Sequence, residues 1–318
     1  MTKVLIPGGS GLVGRALAKE LSARGHSCRV LSRRPDAVPG LPGGVQMGVW
    51  DGISAKGLRP LLEGVDVVVH LAGENIGAGR WTAARKRAIL ESRTESSRAV
   101  AAAMIGAGNK KAVLIQASAV GFYGPRKGEE VSETGSAGND FLARVCRDWE
   151  AASESVVEAG LRRVVIRTGV VLSAEGGALP KMLIPFRLFA GGPMGSGGQF
   201  VPWIHIDDEV AAIGFLAENE EAKGAFNLVA PGAVTNRQLG REIGRVLGRP
   251  SLVPTPAFAL RLALGEMSTL LLDGQRVIPK RLLKSGFDFK FPELEPALRD
   301  LLGPDRPRLV PSSDRAPR

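Results

Sequence analysis

Three features of this 318-residue chain predict an α/β fold, a Rossmann-type doubly wound parallel sheet with a smaller C-terminal α/β domain on the substrate side. Short apolar runs alternate with amphipathic stretches from residue 3 to residue 168. A glycine triplet, Gly8, Gly11 and Gly14, separates the first run from the first amphipathic stretch. The run at residues 66–73, Asp-Val-Val-Val-His-Leu-Ala-Gly, has the near-continuous apolar character of a parallel strand covered on both faces.

The first strand is Lys3-Val-Leu-Ile-Pro7, and the helix after the glycines stacks Leu17 and Leu21 at i,i+4. Glycines three apart in that position suit a tight turn, close approach of a pyrophosphate and close helix–strand packing, in that order. Ser10, Leu12 and Val13 lie between them. The N–H groups and positive dipole end of the helix would face the phosphates.

The second strand, residues 27–32, ends at Ser32-Arg33-Arg34-Pro35. An NAD site places a carboxylate there for the ribose 2′-hydroxyl, but the first acid here is Asp36, beyond a proline. A hydroxyl and guanidinium groups at Ser32, Arg33 and Arg34 suit a 2′-phosphate, so NADP(H) is expected rather than NAD(H). Residues 45–49 form the third strand, and Trp50 or Asp51 either borders the adenine or is plain loop.

The fourth strand closes on Leu71, Ala72, Gly73 and Glu74, where small side chains let a cofactor lie against the backbone. Residues 81–106 read as a long helix, with Arg93 either turned back to the cofactor or one of many surface arginines. Strand five, residues 112–117, runs into Ala117 and Ser118 at the same sheet edge; Asn139 or Asp140 caps a helix over 141–159. Strand six is 163–168. The pattern then breaks into a glycine-rich loop, Trp203-Ile-His-Ile-Asp207 with Asp207 as a helix cap, a short strand at 226–229, a helix at 236–247, and helices plus a strand at 287–291.

These readings divide the chain into an NADP(H)-binding domain at 1–170 that recovers part of 200–230, a substrate-side domain at 171–302, and a flexible tail at 303–318 rich in Pro, Arg and Ser. The two cysteines, Cys28 and Cys146, give neither a disulfide framework nor metal spacing, and no metal is expected. The net charge of +10 is dispersed and aromatics make up 5%, which argues against nucleic acid. With no long apolar run and no separate leader ahead of the first strand, a cytoplasmic protein without membrane contact is expected. A small-molecule substrate and a homodimer complete the expectation.

The motifs Gly8-x-x-Gly11-x-x-Gly14, His70-Leu-Ala-Gly73, Phe122-Tyr-Gly124 and Trp203-Ile-His-Ile-Asp-Asp208 make the chain resemble the extended short-chain dehydrogenase/reductases of nucleotide-sugar epimerase type. Leu71-Ala-Gly-Glu-Asn-Ile76, Asp148-Trp-Glu150 and the 277–287 region resemble an atypical epimerase-like branch that ends in a small domain of unknown function. The resemblance covers residues 1–302 and implies an NADP(H)-dependent oxidoreductase or epimerase-like enzyme. It also implies a catalytic tyrosine with a lysine four residues on; counted back from Glu150, those places hold Leu142 and Cys146. Tyr123 and Lys127 have the spacing, but Gly124-Pro125 bars the helix that would align them. Catalytic residues therefore stay unassigned, with Ser118 and Tyr123 as remaining candidates and a non-catalytic NADP(H)-binding regulator as the alternative. Met182, Phe186, Arg187 and Trp203 are the expected liners of the substrate cleft.

Overall fold

The computed structural model describes residues 1–34 and 40–303. A seven-stranded sheet comprises β1 (Lys3–Pro7), β2 (Ser27–Ser32), β3 (Gln46–Val49), β4 (Val67–His70), β5 (Val113–Ala119), β6 (Arg162–Thr168) and β7 (Gly224–Leu228). Its order is β7-β6-β5-β4-β1-β2-β3, and every pair is parallel. The chain starts in mid-sheet, winds out to β3, and returns past β1 to build the other half. That reversal opens a crevice at the carboxyl ends of β1 and β4.

Helices α1 (Leu12–Ala23), α2 (Ala83–Ala107), α3 (Phe141–Ala151) and α4 (Ile206–Glu218) cover the sheet. Successive strand residues point to opposite faces. Ile6, Val30, Val69, Ile115, Ile166 and Phe226 enter one core with Leu17 of α1 and Ile213 of α4. Leu5, Leu31, Val68 and Leu114 enter another with Val100 and Met104 of α2. Each fully buried side chain of this kind contributes roughly 1.5–3 kcal/mol, which is why the strands read as apolar runs. Strand β7 comes from late in the chain and pairs with β6 from Gly224↔Val164 to Leu228↔Thr168.

Local chemistry sets the helix boundaries. Thr82 caps α2, its hydroxyl accepting the Arg85 N–H, and Gly108 stops it with φ +73°. Asp140 caps α3, accepting the Ala143 N–H at 2.7 Å. The helix expected over 141–159 breaks after Ala151 and resumes as the turn Ser155–Glu158. At the break the Arg163 guanidinium donates to the Glu150 carbonyl at 2.6 Å, which also accepts the Ser153 N–H at 3.4 Å. At α4 the cap is His205 rather than Asp207, its Nδ1 accepting the Asp207 N–H at 3.0 Å.

Beyond β6, the short parallel strands Val170–Leu172 and Trp203–His205 pair beside the sheet, and the helix Leu179–Arg187 lies between them in sequence. The strand expected at 287–291 does not form. Phe287, Phe289 and Phe291 all enter the main core, but among the described residues no strand pairs with them. Instead the N–H groups of Lys290 and Phe291 donate to the two carboxylate oxygens of Asp208 at 2.8 and 2.9 Å. Among the described residues no helix is long and apolar enough to cross a membrane.

Candidate functional site

Turns at the carboxyl ends of β1, β2, β4 and β5 converge on one sheet edge. Gly8 leaves β1 with φ +82°, and a Cβ there would run into the backbone of Ala72, whose Cα lies 2.6 Å away. Gly14 packs the first turn of α1 onto Gly9; a Cβ would stand 2.7 Å from the Gly9 carbonyl oxygen. Gly11 is different. It is the N-cap of α1, offers no side-chain cap, and a Cβ on it would meet Gly8 O alone, at 3.5 Å. Its neighbours Leu12 and Val13 thus begin a helix whose first N–H groups have no side-chain partner. The glycines divide the work between turn, open approach and tight packing, and the arrangement fits an anionic pyrophosphate.

Ser10 lies within this turn, its carbonyl accepting from Arg15 at 3.1 Å. Ser32 ends β2 with its hydroxyl accepting the Arg34 N–H at 3.1 Å. Arg33 and Arg34 are exposed and have no carboxylate partner among the described residues. The Asp36 noted in the sequence lies outside the described residues. Trp50 is buried, its indole N–H donating to Ser54 O. Asp51 accepts the N–H groups of Ile53 and Ser54, which hold its carboxyl below the usual range.

At the end of β4, Leu71 donates to Pro7 O at 2.8 Å, holding Ala72 against Gly8. Glu74 is already paired, with its carboxylate on Arg85 at 2.9 Å and its N–H on Ser92. Arg93 turns inward from α2 toward Gly73: a Cβ on that glycine would stand 3.1 Å from the guanidinium carbon. The guanidinium lies 4.9 Å from the Trp149 ring and donates to Ile89 O at 3.0 Å. Burial lowers its pKa, and no carboxylate comes within ion-pair distance among the described residues. A half-buried, carboxylate-free cation is suited to an anion or to several hydroxyls.

A cleft of about 240 Å³ opens beside this edge, bounded by the ends of β5 and β6, by α3 and by the C-terminal segment at 269–275. Arg93, Leu142, Cys146, Trp149, Thr168 and Met182 contribute to its wall. Leu142 and Cys146, the positions counted back from Glu150, both line this cleft. Burial, with Glu150 adding to it, pushes the Cys146 thiol up to about 12, which leaves it protonated. Of the other expected liners, Phe186 and Trp203 are buried in the main core, and Arg187 is exposed outside the cleft wall. The Trp203 indole instead donates to Gly232 O at 2.9 Å.

Both remaining catalytic candidates already have hydrogen-bond partners within the protein. The Ser118 hydroxyl donates to Glu150 Oε1 at 2.6 Å, and Ala117 beside it is buried. Tyr123 is fully buried; it donates to Asn227 Oδ1 at 2.6 Å and accepts from Arg167 at 3.0 Å. Burial raises its pKa. Its spacing to Lys127 has no structural meaning, because Tyr123 closes a short 3-10 turn that ends at Gly124. These groups belong to a buried network that sequence reading missed. Arg167 of β6 grips Glu150 with two nitrogens, each at 2.9 Å, and stacks on Phe122 at 3.5 Å. Asn227 of β7 continues it to Ile278 O in the C-terminal part. The network joins α3 to the sheet and the sheet to the chain's last third.

Residues 4–229 match the NAD dependent epimerase/dehydratase family, and residues 255–301 match a domain of unknown function, DUF1731. Mouse (Mus musculus) "Epimerase family protein SDR39U1" is 39% identical over 304 residues, covering 94% of this chain and 99% of the relative. The Bacillus subtilis protein "Epimerase family protein YfhF" is 37% identical, covering 94% and 97%. The crystal structure of human epimerase family protein SDR39U1 (isoform 2) with NADPH superposes with a TM-score of 0.85 at 37% identity, covering 95% of this chain and 99% of that one.

Proposed function

The chain belongs to the NAD dependent epimerase/dehydratase family, and from that premise we propose that it binds NADP(H) along the sheet edge and transfers hydride to or from a small substrate in the adjoining cleft. The observation that carries the reading is the turn at residues 8–14. Gly8 and Gly14 are packed against backbone, while Gly11 leaves the start of α1 open. A relative 37% identical to this chain has been crystallised with NADPH, which supports the same cofactor here. Bound there, the nicotinamide supplies or accepts the hydride.

The chain's own residues have separate tasks in this reading. Gly11, Leu12 and Val13 present backbone N–H groups to the pyrophosphate. Ser32, Arg33 and Arg34 hold the 2′-phosphate, to which guanidinium groups offer paired donors. Leu71, Ala72 and Gly73, with Ala117 and Ser118, give the cofactor a small-residue floor. Arg93 reaches past Gly73 and fixes the ribose or an anionic part of the substrate. The proton comes from water, the substrate or a residue other than the superfamily's tyrosine, because Leu142 and Cys146 occupy the positions of that pair.

That vacancy also favours a second reading, a non-catalytic NADP(H)-binding regulator whose shape or partner answers to the nucleotide. Purified protein mixed with NADPH and a panel of carbonyl compounds separates the two. Loss of nicotinamide absorbance that depends on one compound supports the enzyme. Tight binding without turnover, together with a co-purifying protein, supports the regulator.

A further inference from the structure

Glu209 is the third acid in the first turn of α4, after Asp207 and Asp208, yet it points into the protein. It is 1% exposed. Its Oε1 accepts a hydrogen bond from the Thr168 hydroxyl at 2.8 Å, and its Oε2 has no hydrogen-bond partner among the described residues. Thr168 is the last residue of β6 and part of the cleft wall, followed there by Gly169 and Val170. A single hydroxyl therefore connects a buried carboxyl to the cleft in which the proposed function puts its chemistry.

The other charged groups around Glu209 are committed elsewhere. On α4 itself, Asp207 pairs with Lys290 at 3.0 Å, and Asp208 accepts two backbone N–H groups. His205 lies against Phe291 and Asp300. Arg167, next to Thr168 on β6, emerges on the opposite sheet face and holds Glu150. On α1, which packs on α4, Arg15 donates to Ser10 O and Arg24 pairs with Glu218 at the far end of α4. β5 contributes no charged side chain between Val113 and Ala119. Among the described residues no ion pair compensates a carboxylate at this position.

We propose that Glu209 is the proton-linked group of the nucleotide site, protonated when the reduced nucleotide is bound and ionised when the oxidised one is. The proposal rests on the NADP(H) reading above. The physical reason is charge balance: the oxidised nicotinamide ring is a cation and the reduced ring is neutral. Only the oxidised form can offset a carboxylate in an apolar, water-poor surrounding. On reduction, the carboxylate takes one proton from solvent by way of the cleft and the Thr168 hydroxyl; on oxidation it returns that proton. Burial has already moved the group toward the working range, pushing its pKa up to about 8, with the Thr168 bond opposing.

The test is the ratio of NADPH and NADP⁺ dissociation constants, measured by calorimetry from pH 6.5 to 9. The 2′-phosphate is common to both nucleotides, so its own titration cancels in the ratio. A one-unit difference in the carboxyl's pKa between the complexes gives a limiting change of about tenfold. The wild type is expected to favour NADP⁺ increasingly as pH rises, and E209Q, which keeps the size and the bond to Thr168, to give a flat ratio. A flat wild-type ratio, or the same slope in E209Q, overturns the proposal. If wild type binds neither nucleotide, the cofactor reading fails first and takes this one with it. A measurement on wild type alone guards against a variant that does not fold: the infrared difference between the two complexes should contain a protonated-carboxyl C=O band in the reduced complex. Absence of that band overturns the linkage while leaving nucleotide binding intact.

Discussion

The glycine turn offers a sharp test, because three identical substitutions within seven residues should have different outcomes. A Cβ on Gly11 meets a lone atom, the Gly8 carbonyl oxygen, at 3.5 Å, and the backbone there has φ −72°. G11A should therefore change stability by less than about 1 kcal/mol, in the stabilising direction if the unfolded chain loses entropy. The added methyl stands where the pyrophosphate approaches. Losing two charge-assisted hydrogen bonds of about 1.5 kcal/mol each predicts a rise in the NADPH dissociation constant of about 100-fold. G14A has the opposite profile in folding, since its Cβ would sit 2.7 Å from Gly9 O and 2.8 Å from Gly9 C. Relieving that contact moves α1 and costs about 1–3 kcal/mol. G8A adds a left-handed φ of +82° to a collision with the Ala72 backbone and should be the least stable of the three. Thermal melts and NADPH calorimetry on all three variants decide it. A G11A protein that binds NADPH like wild type, or melts as early as G14A, would refute the division of labour among these glycines.

The other expectations concern the buried groups. Y123F removes a donor to Asn227 and an acceptor for Arg167, so melting should show a loss of about 1–3 kcal/mol while NADPH affinity stays within twofold; a selective loss of turnover would restore Tyr123 as a catalyst. R167M leaves the half-buried Glu150 without its cation and should cost up to about 3–5 kcal/mol in denaturant titrations, and a loss below 1 kcal/mol would mean that the network does not brace the fold. Glu209 binds its proton more tightly folded than unfolded. Its stabilising contribution is therefore complete below pH 4.5 and drains away as pH rises to about 8, by a total of about 5 kcal/mol. Melts of E209Q from pH 5 to 9 should lack that decline, and parallel curves for the two proteins would disprove it.

The sheet was legible because both of its faces are covered. Strands such as Val67–His70 and Val113–Ala119 need apolar residues at consecutive positions, and that density survives in the linear sequence. The glycine turn was legible because its spacing mirrors three distinct steric demands. What escaped depends on partners distant in sequence. Nothing local reveals that Arg163 donates to the Glu150 carbonyl at the end of α3, or that Arg167 reaches back to the same residue's carboxylate. The alternating Phe287, Phe289 and Phe291 look like a strand, yet the hydrogen-bond partner of their backbone is Asp208, 82 residues before Lys290. Trp203 and Phe186 belong to the segment expected to line the cleft, but large aromatic side chains fill cores as readily as they line sites, and both are buried in the main core. Glu209 left a faint signal: Ile206, Ile213 and Leu216 are spaced so that it shares their buried helix stripe. An acidic first turn also suits the helix dipole, and that explanation hides the anomaly.

The account rests most directly on the nucleotide and its extra phosphate. Calorimetry of the purified protein with NADPH and NADH, repeated on R33D, measures both at once. The expected result is tighter binding of NADPH than NADH by wild type, with the R33D substitution weakening NADPH and narrowing the gap. Binding of neither nucleotide would contradict the site, and equal affinities unchanged in R33D would contradict the recognition of the 2′-phosphate by the end of β2.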